Sequence, residues 1–188
     1  MWLMQMVDVA RFDLFDISPA NVDFGKEEAR RQGVSHKINL RAQDAFIADV
    51  GNDYDLVYWN NALHHMPDVY DALRWSFDRL KPGGLFAMDD FVGPSRFQWT
   101  DDNLEWARRV RQALPKRFLR DPYVQKDAYL PVKIARPTIA DVIASDPSEA
   151  VDSGRIIDGI KAIFPRSQFF MTGGALYHTA LNDIFCNL

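Results

Sequence analysis

The sequence predicts an α/β protein in which a doubly wound, mostly parallel sheet is covered by helices on both faces. The first observation is an alternation of short apolar runs, typical of buried strands, with segments whose apolar residues recur at helical spacing. The second is that these apolar runs end in acid or amide side chains. Ligands bind outside the carboxyl ends of parallel strands, so those side chains predict one ligand-binding cleft that is lined from several strand ends.

The first two strands are predicted from Phe12 to Asp16 and from Ile38 to Gln43. Between them, Ser18 followed directly by proline is a helix start signal, since serine caps the first turn and proline fits the first helical position. The helix is expected from Pro19 to Gln32, with Gly33 ending it.

The next unit repeats this order. A strand is predicted from Tyr54 to Trp59 and a helix from Val69 to Leu80. Pro82 and the Gly83-Gly84 pair are expected to close that helix, and a further strand is predicted from Leu85 to Asp89. Strands that alternate with helices of this length favour right-handed crossovers and parallel pairing.

The alternation stops between residues 93 and 145, which we interpret as a helical insertion or lid above the sheet. Within it, apolar residues at helical spacing predict a helix from Asp101 to Ala113. Trp99 and Trp106 make the insertion aromatic, and we favour packing over a role in stacking against a ligand. Several prolines interrupt the chain after this helix.

Further helical patterns lie near the two ends of the chain. The apolar start, with Leu3 and Met6 at helical spacing, predicts the last turns of a preceding helix. At the other end we expect a helix from Asp146 to about Phe164, a short strand from Gln168 to Met171 and a helix from Ala175 to Phe185.

The composition narrows the class of protein. At 188 residues and 47% apolar content, one domain over residues 1–188 is expected. The net charge of −4 without a basic block argues against a nucleic-acid partner. The lone Cys186 excludes an internal disulfide, and the amino end lacks the basic region and cleavage site of a signal peptide. We therefore expect a cytoplasmic protein that is not bound to a membrane.

Four motifs, in this order, resemble a known family. They are FDLFDIS from Phe12, INLRAQDAF from Ile38, an LHH tripeptide after the third predicted strand, and LKPGG from Leu80. They are similar to the later motifs of class I S-adenosylmethionine-dependent methyltransferases of the small-molecule type. The resemblance covers Phe12 to about Phe91 closely. It implies a Rossmann-like fold truncated at the amino end and at the carboxyl end, with the insertion after the fifth family strand.

The resemblance also implies cofactor contacts. Asp16, followed by Ile17, corresponds to the family's acid on the cofactor ribose, and Asp44 to the residue beside the adenine, with Ala45 and Phe46 flanking the base. Asn60 corresponds to the position near the methionine moiety. The simpler alternatives are that Asp16 is a helix-start acid and Asp44 a turn acid. The glycine-rich first motif has no counterpart here, so we expect the 188-residue chain to bind S-adenosylmethionine weakly or not at all.

Catalytic candidates follow the same strands. His64 and His65 have side chains that titrate near neutrality and suit a general base, and Asn61, Asp89 and Asp90 are candidates for holding an acceptor substrate. The alternative is that one histidine packs and the other is solvated. No metal is predicted, because the histidines lack a second cluster of ligand residues at suitable spacing.

The predicted function is methyl transfer from S-adenosylmethionine to a small-molecule nucleophile, with activity in this shortened form in question. One alternative is a non-catalytic, methyltransferase-like binding or assembly protein. A nicotinamide-dependent oxidoreductase is the weakest alternative, since the G-x-G-x-x-G motif is missing. Exposed strand edges predict a homo-oligomer.

Overall fold

The structure is a computed structural model that describes residues 8–124 and 128–187. The helical turns predicted around Leu3 and Met6 lie outside the described residues. Contacts along the chain divide it into two compact units, residues 1–52 and residues 53–188. Each unit is described by itself, and the expectation of one domain over the whole chain stays a prediction.

The first unit contains strand β1 (Phe12–Asp16), helix α1 (Pro19–Arg31) and strand β2 (Ile38–Ala42). The two strands pair in parallel, with Phe12 opposite Ile38 and Asp16 opposite Ala42. The Ser18 side chain accepts a hydrogen bond from the Asn21 amide, and a proline stands in the first turn of α1. The strand, cap and helix predicted for this region are therefore confirmed to within about one residue.

The second unit begins with strand β3 (Tyr54–Asn60), helix α2 (Val69–Arg79) and strand β4 (Leu80–Asp89). The strands pair in parallel, and their last pair is Asn60 opposite Asp89. The described strands thus form two separate two-stranded parallel sheets, β1 with β2 and β3 with β4. The α/β class with parallel strands is confirmed, whereas a single doubly wound sheet stays a prediction.

The LKPGG segment is the main correction in this region. We expected α2 to reach Leu80 and β4 to begin at Leu85, but β4 begins at Leu80 and contains both glycines. Its register against β3 shifts, because Tyr54 faces Leu80 while Leu56 faces Leu85. The four residues from Lys81 to Gly84 thus stand opposite the single Asp55 of β3, an irregularity of the β-bulge kind in which Gly83 takes a φ of 83°.

This bulge predicts a stability effect at Gly84. A Cβ on Gly84 would lie 2.9 Å from the Tyr54 carbonyl oxygen and 3.0 Å from the Lys81 carbonyl oxygen. Neither backbone atom can rotate away, so Gly84→Ala should lower the free energy of unfolding by about 1–3 kcal/mol. Urea denaturation followed by tryptophan fluorescence measures the loss. Lys81→Ala, which removes only an exposed ion pair with Asp55, is the control, and equal stability of the two variants would contradict the close approach.

Three further helices complete the second unit, α3 (Asp101–Ala113), α4 (Ile139–Ser145) and α5 (Ile156–Ile163). The bounds of α3 match the prediction, and α4 was not predicted. The helix expected from Asp146 is wrong in its first part, since turns occupy that stretch and α5 begins only at Ile156. Gln168 to Met171 form no strand, and the last predicted helix is replaced largely by a π-helical turn (Tyr177–Leu181) and 3₁₀ turns (Asn182–Asn187).

The core of the second unit lies between α2 and α5. Leu73 of α2 and Ile156 and Ile160 of α5 are almost fully buried, and Leu63, in the turn after β3, joins the same cluster. Gly159 permits this approach, because a Cβ there would lie 2.8 Å from the Leu73 Cδ1 atom. The turn that carries the two neighbouring histidines is therefore anchored in the core. None of the described helices is long and apolar enough to cross a membrane.

The insertion packs by its aromatic residues. Trp99 is buried, with 7% of its surface exposed, and forms a cluster with Phe91 and Ala150. Phe97 also packs against this cluster. Trp106 is 57% exposed. The favoured packing role therefore fits Trp99 better than Trp106, and the function of residues 93–145 as a lid stays a prediction.

Candidate functional site

The carboxyl end of β1 presents Asp16. One carboxylate oxygen accepts a hydrogen bond from the Ser18 amide at 2.7 Å, and the other accepts from the Asn21 side chain at 2.9 Å. Asp16 thus helps to form the start of α1, as the simpler alternative expected. A carboxylate offers about four acceptor positions, so each oxygen retains one for a ligand.

The carboxyl end of β2 presents Asp44 in the same unit. Its side chain is exposed and accepts a hydrogen bond from the Phe46 amide at 2.9 Å, an interaction typical of a turn. Ile17 and Phe46 are 82% and 37% exposed. Since β1 and β2 are paired neighbours, Asp16 and Asp44 follow adjacent strand ends.

In the second unit the ends of β3 and β4 are tied together by backbone bonding. The Asn61 amide donates to the Asp89 carbonyl oxygen at 2.8 Å, and the Asn60 side chain accepts from the Tyr58 hydroxyl at 3.2 Å. Asn61 has a φ of 49°, in the left-handed region that asparagine adopts more readily than most residues other than glycine.

Asp90, directly after β4, organises the histidine turn. Its side chain has no exposed surface, and one oxygen accepts from the amides of Ala62 and Leu63 at 2.9 and 2.7 Å. The other oxygen accepts from the Phe91 amide at 2.8 Å and lies 2.5 Å from Nδ1 of His64. The buried carboxylate thereby fixes both the turn and the imidazole.

His64 is 4% exposed, and its environment is acidic. Burial by itself lowers the pKa of the imidazole, but the hydrogen bond and charge of Asp90, with the charges of Glu149 and Asp146, outweigh it and raise the pKa above its ordinary value. Because the carboxylate of Asp90 can only accept, Nδ1 carries the proton. Nε2 is then the nitrogen with an available lone pair in the neutral ring.

Sequence reasoning missed the segment that faces the histidines. The turn from Asp146 to Glu149 brings a carboxylate oxygen of Glu149 to 3.6 Å from Nε2 of His64. The Ser148 hydroxyl lies 3.0 Å from Nδ1 of His65, and an Asp146 oxygen lies 4.0 Å from the same atom. Hydrogen bonds from Ser148 lower the pKa of Asp146.

The backbone around Glu149 is held in an unusual conformation. Ala150 has a φ of 47°, in the left-handed region, which costs an alanine residue about 1–2 kcal/mol. The Arg96 amide donates to the Ala150 carbonyl oxygen at 2.7 Å, and the Arg96 guanidinium donates to the Glu149 carbonyl oxygen at 3.0 Å. The Glu149 carboxylate is therefore presented towards His64 by backbone anchoring. No local pattern in the sequence signals this turn, which resembles a helix start.

A cleft of about 1890 Å³ opens beside these strand ends in the second unit. It is lined largely by apolar and aromatic side chains. The predicted site residues that line it are Asn60, Asn61, Asp89 and Asp90. His178, which was not a predicted site residue, also lines the cleft. Burial lowers the pKa of the His178 imidazole, and the charge of His64 lowers it further. The structure thus brings four predicted polar residues to one cleft, whereas the predicted catalytic residues His64 and His65 are not among its lining residues. Asp16 and Asp44 belong to the first unit.

Comparison with known proteins adds three findings. A family model described as a methyltransferase domain matches residues 2–86. Sterol 24-C-methyltransferase of Aspergillus fumigatus is 33% identical over 84 residues, which are 44% of this chain and 22% of that protein. The 27-O-demethylrifamycin SV methyltransferase of Amycolatopsis mediterranei is 30% identical over 77 residues, or 40% of this chain and 28% of that protein. The similarity thus spans about a quarter of each relative.

Proposed function

We propose that the chain is a class I S-adenosylmethionine-dependent methyltransferase that transfers a methyl group to a small-molecule nucleophile, a proposal supported by the match of residues 2–86 to a methyltransferase domain. The observation that carries this proposal is the pairing of His64 with Asp90, at 2.5 Å, beyond the carboxyl ends of β3 and β4. An imidazole whose second nitrogen is fixed by a carboxylate is an arrangement suited to accepting a proton.

The proposed reaction is an in-line displacement. S-adenosylmethionine would supply the methyl group to a lone pair of the acceptor, with the neutral thioether S-adenosylhomocysteine as the other product. An acceptor hydroxyl or amine must also lose a proton, which passes to Nε2 of His64. Asp90 keeps the imidazole in the required tautomer and stabilises the imidazolium that forms.

Access to His64 depends on Glu149. The His64 side chain is 5% exposed, whereas the Glu149 carboxylate that faces Nε2 belongs to a side chain that is 28% exposed. In this proposal the Glu149 side chain rotates away from Nε2 when the acceptor hydroxyl binds there. In this proposal Glu149 also neutralises the imidazolium after the proton has moved.

Binding of the cofactor is proposed for the end of β1 and β2. S-adenosylmethionine supplies an activated methyl group on a sulfonium. Asp16 accepts from the two ribose hydroxyls with the acceptor positions that Ser18 and Asn21 leave free. Asp44 accepts from the adenine amino group while Phe46, 37% exposed, covers the base.

The acceptor class is proposed from the aromatic and apolar lining of the cleft beside Asn61, Asp89 and Asp90. A large, mainly apolar molecule with a hydroxyl group fits this lining. The names of the two relatives, a sterol 24-C-methyltransferase and a 27-O-demethylrifamycin SV methyltransferase, support a large, mainly apolar acceptor, and the second name supports transfer to oxygen. A panel that contains a sterol and a demethylrifamycin, incubated with methyl-labelled S-adenosylmethionine, tests the proposal by the label found in product. Cofactor binding without transfer to any member would favour the non-catalytic alternative.

The two cofactor acids should differ in effect. Asp16→Ala should weaken S-adenosylmethionine binding more than Asp44→Ala, because two charge-assisted hydrogen bonds to ribose contribute about 1.5–3 kcal/mol each. The single bond from exposed Asp44 to an adenine edge contributes less. Equilibrium dialysis with labelled cofactor measures the ratio of affinities even where binding is weak. Asp23→Ala, an exposed acid of α1, is the control, and equal losses at Asp16 and Asp44 would remove the ribose assignment.

A further inference from the structure

We propose that His64, His65 and Glu149 form a site for a divalent cation of the zinc type. Each of these residues offers one ligand atom, and the three atoms lie within 4.8 Å of one another. Two imidazoles and one carboxylate are a donor set that zinc uses in sites that keep one position open. No other group of three potential ligands is found among the described residues.

The first step of the argument is the state of His64. A histidine that binds a metal needs a free lone pair on one nitrogen and, in most sites, donates its other N–H to a carboxylate or carbonyl. Asp90 provides this outer contact at 2.5 Å from Nδ1, with a side chain that has no exposed surface. Nε2 therefore points its lone pair towards Glu149, 3.6 Å away.

The second step is distance. Ligand atoms around a tetrahedral zinc ion at about 2.0–2.2 Å are about 3.4 Å apart. The pair of His64 and Glu149, at 3.6 Å, already fits this separation. His65, whose ring centroid lies 4.0 Å from that of His64, has a side chain that is 29% exposed. It can close the remaining gap by rotating away from the Ser148 hydroxyl.

The third step is charge. Three carboxylates surround the two imidazoles, Asp90 from the end of β4 and Asp146 and Glu149 from the facing turn. The Arg96 guanidinium donates to the backbone carbonyl of Glu149 rather than to its carboxylate. A divalent cation at this position would offset two of the three negative charges.

Binding of the cation and proton transfer use the same nitrogen. A zinc ion on Nε2 of His64 excludes that atom from accepting a proton, so the zinc-loaded protein should not catalyse the methyl transfer. This consequence alone rests on the proposed function. Zinc binding itself does not depend on it, and the two can be measured separately.

The test is calorimetric titration of the EDTA-treated protein with zinc chloride, with cobalt absorption spectra as a second readout. We expect one equivalent to bind, and His65→Ala and Glu149→Gln each to weaken binding at least tenfold. Both side chains are half-buried, so both variants should fold, which thermal melting verifies. His36→Ala and Cys186→Ser, which remove the exposed histidine of the first unit and the exposed thiol, should bind as the parent does.

Several results would overturn the site. They are the failure of the stripped protein to bind zinc, unchanged binding in either His65→Ala or Glu149→Gln, and loss of binding in Cys186→Ser. If zinc binds as expected but the EDTA-treated, zinc-free protein methylates no acceptor, the cation site stands and the proposed function fails.

Discussion

His64→Ala should reduce methyl transfer by about 10²–10⁴-fold while S-adenosylmethionine affinity stays nearly unchanged, because the change removes a general base and leaves the proposed cofactor residues intact. Single-turnover measurements of label transfer, with the acceptor that the panel selects, give the rate of the chemical step. Equilibrium dialysis gives the cofactor affinity. The expected effect is on turnover rather than on binding.

The matched control is His65→Ala on the neighbouring residue. His65 contacts the Ser148 hydroxyl rather than a buried carboxylate, so its removal should lower the rate by less than tenfold. His64 is also part of the turn that packs with the core. A His64→Ala protein that melts at a lower temperature but transfers methyl groups at the normal rate in the cold would show that His64 is structural.

The elements of this fold could be predicted where local signals and tertiary contacts agree. Two helix starts were predicted and are confirmed by the structure. One rests on Ser18 followed by Pro19, and the other on the apolar spacing of residues 101–113. The strand ends at Asp16 and Asp89 were likewise evident, since apolar runs stop there. The polar residues that follow the strands could therefore be identified as site candidates from the sequence.

The prediction failed where distant contacts decided the local structure. The Asp146-Pro-Ser-Glu149 sequence has the pattern of a helix start, but Asp152 instead accepts a hydrogen bond from the Val69 amide, 83 positions away in the chain. That contact and the Arg96 bonds to Glu149 and Ala150 favour turns. Glu149 could not be assigned to the histidines, because its position depends on these long-range contacts.

Asp90→Ala should have the largest effect on stability, lowering the free energy of unfolding of the second unit by about 3–5 kcal/mol. The side chain accepts hydrogen bonds from three backbone amides, those of Ala62, Leu63 and Phe91, and from His64. An unsatisfied buried donor costs about 1–3 kcal/mol, and losses at neighbouring donors are not additive. The estimate is therefore below the sum of four separate losses.

Tryptophan fluorescence during urea denaturation is suited to this measurement, since four of the five tryptophans lie in the second unit. Asp89→Ala is the matched control, because Asp89 is exposed and its backbone carbonyl, rather than its side chain, accepts from the Asn61 amide. The free energy of unfolding of Asp90→Asn should lie between those of Asp90→Ala and Asp89→Ala. The amide keeps one acceptor oxygen but places an NH₂ donor among backbone donors. If Asp90→Ala is as stable as Asp89→Ala, then Asp90 does not hold the histidine turn. In that case the fixed tautomer of His64, on which proton transfer and zinc binding both depend, has no structural basis.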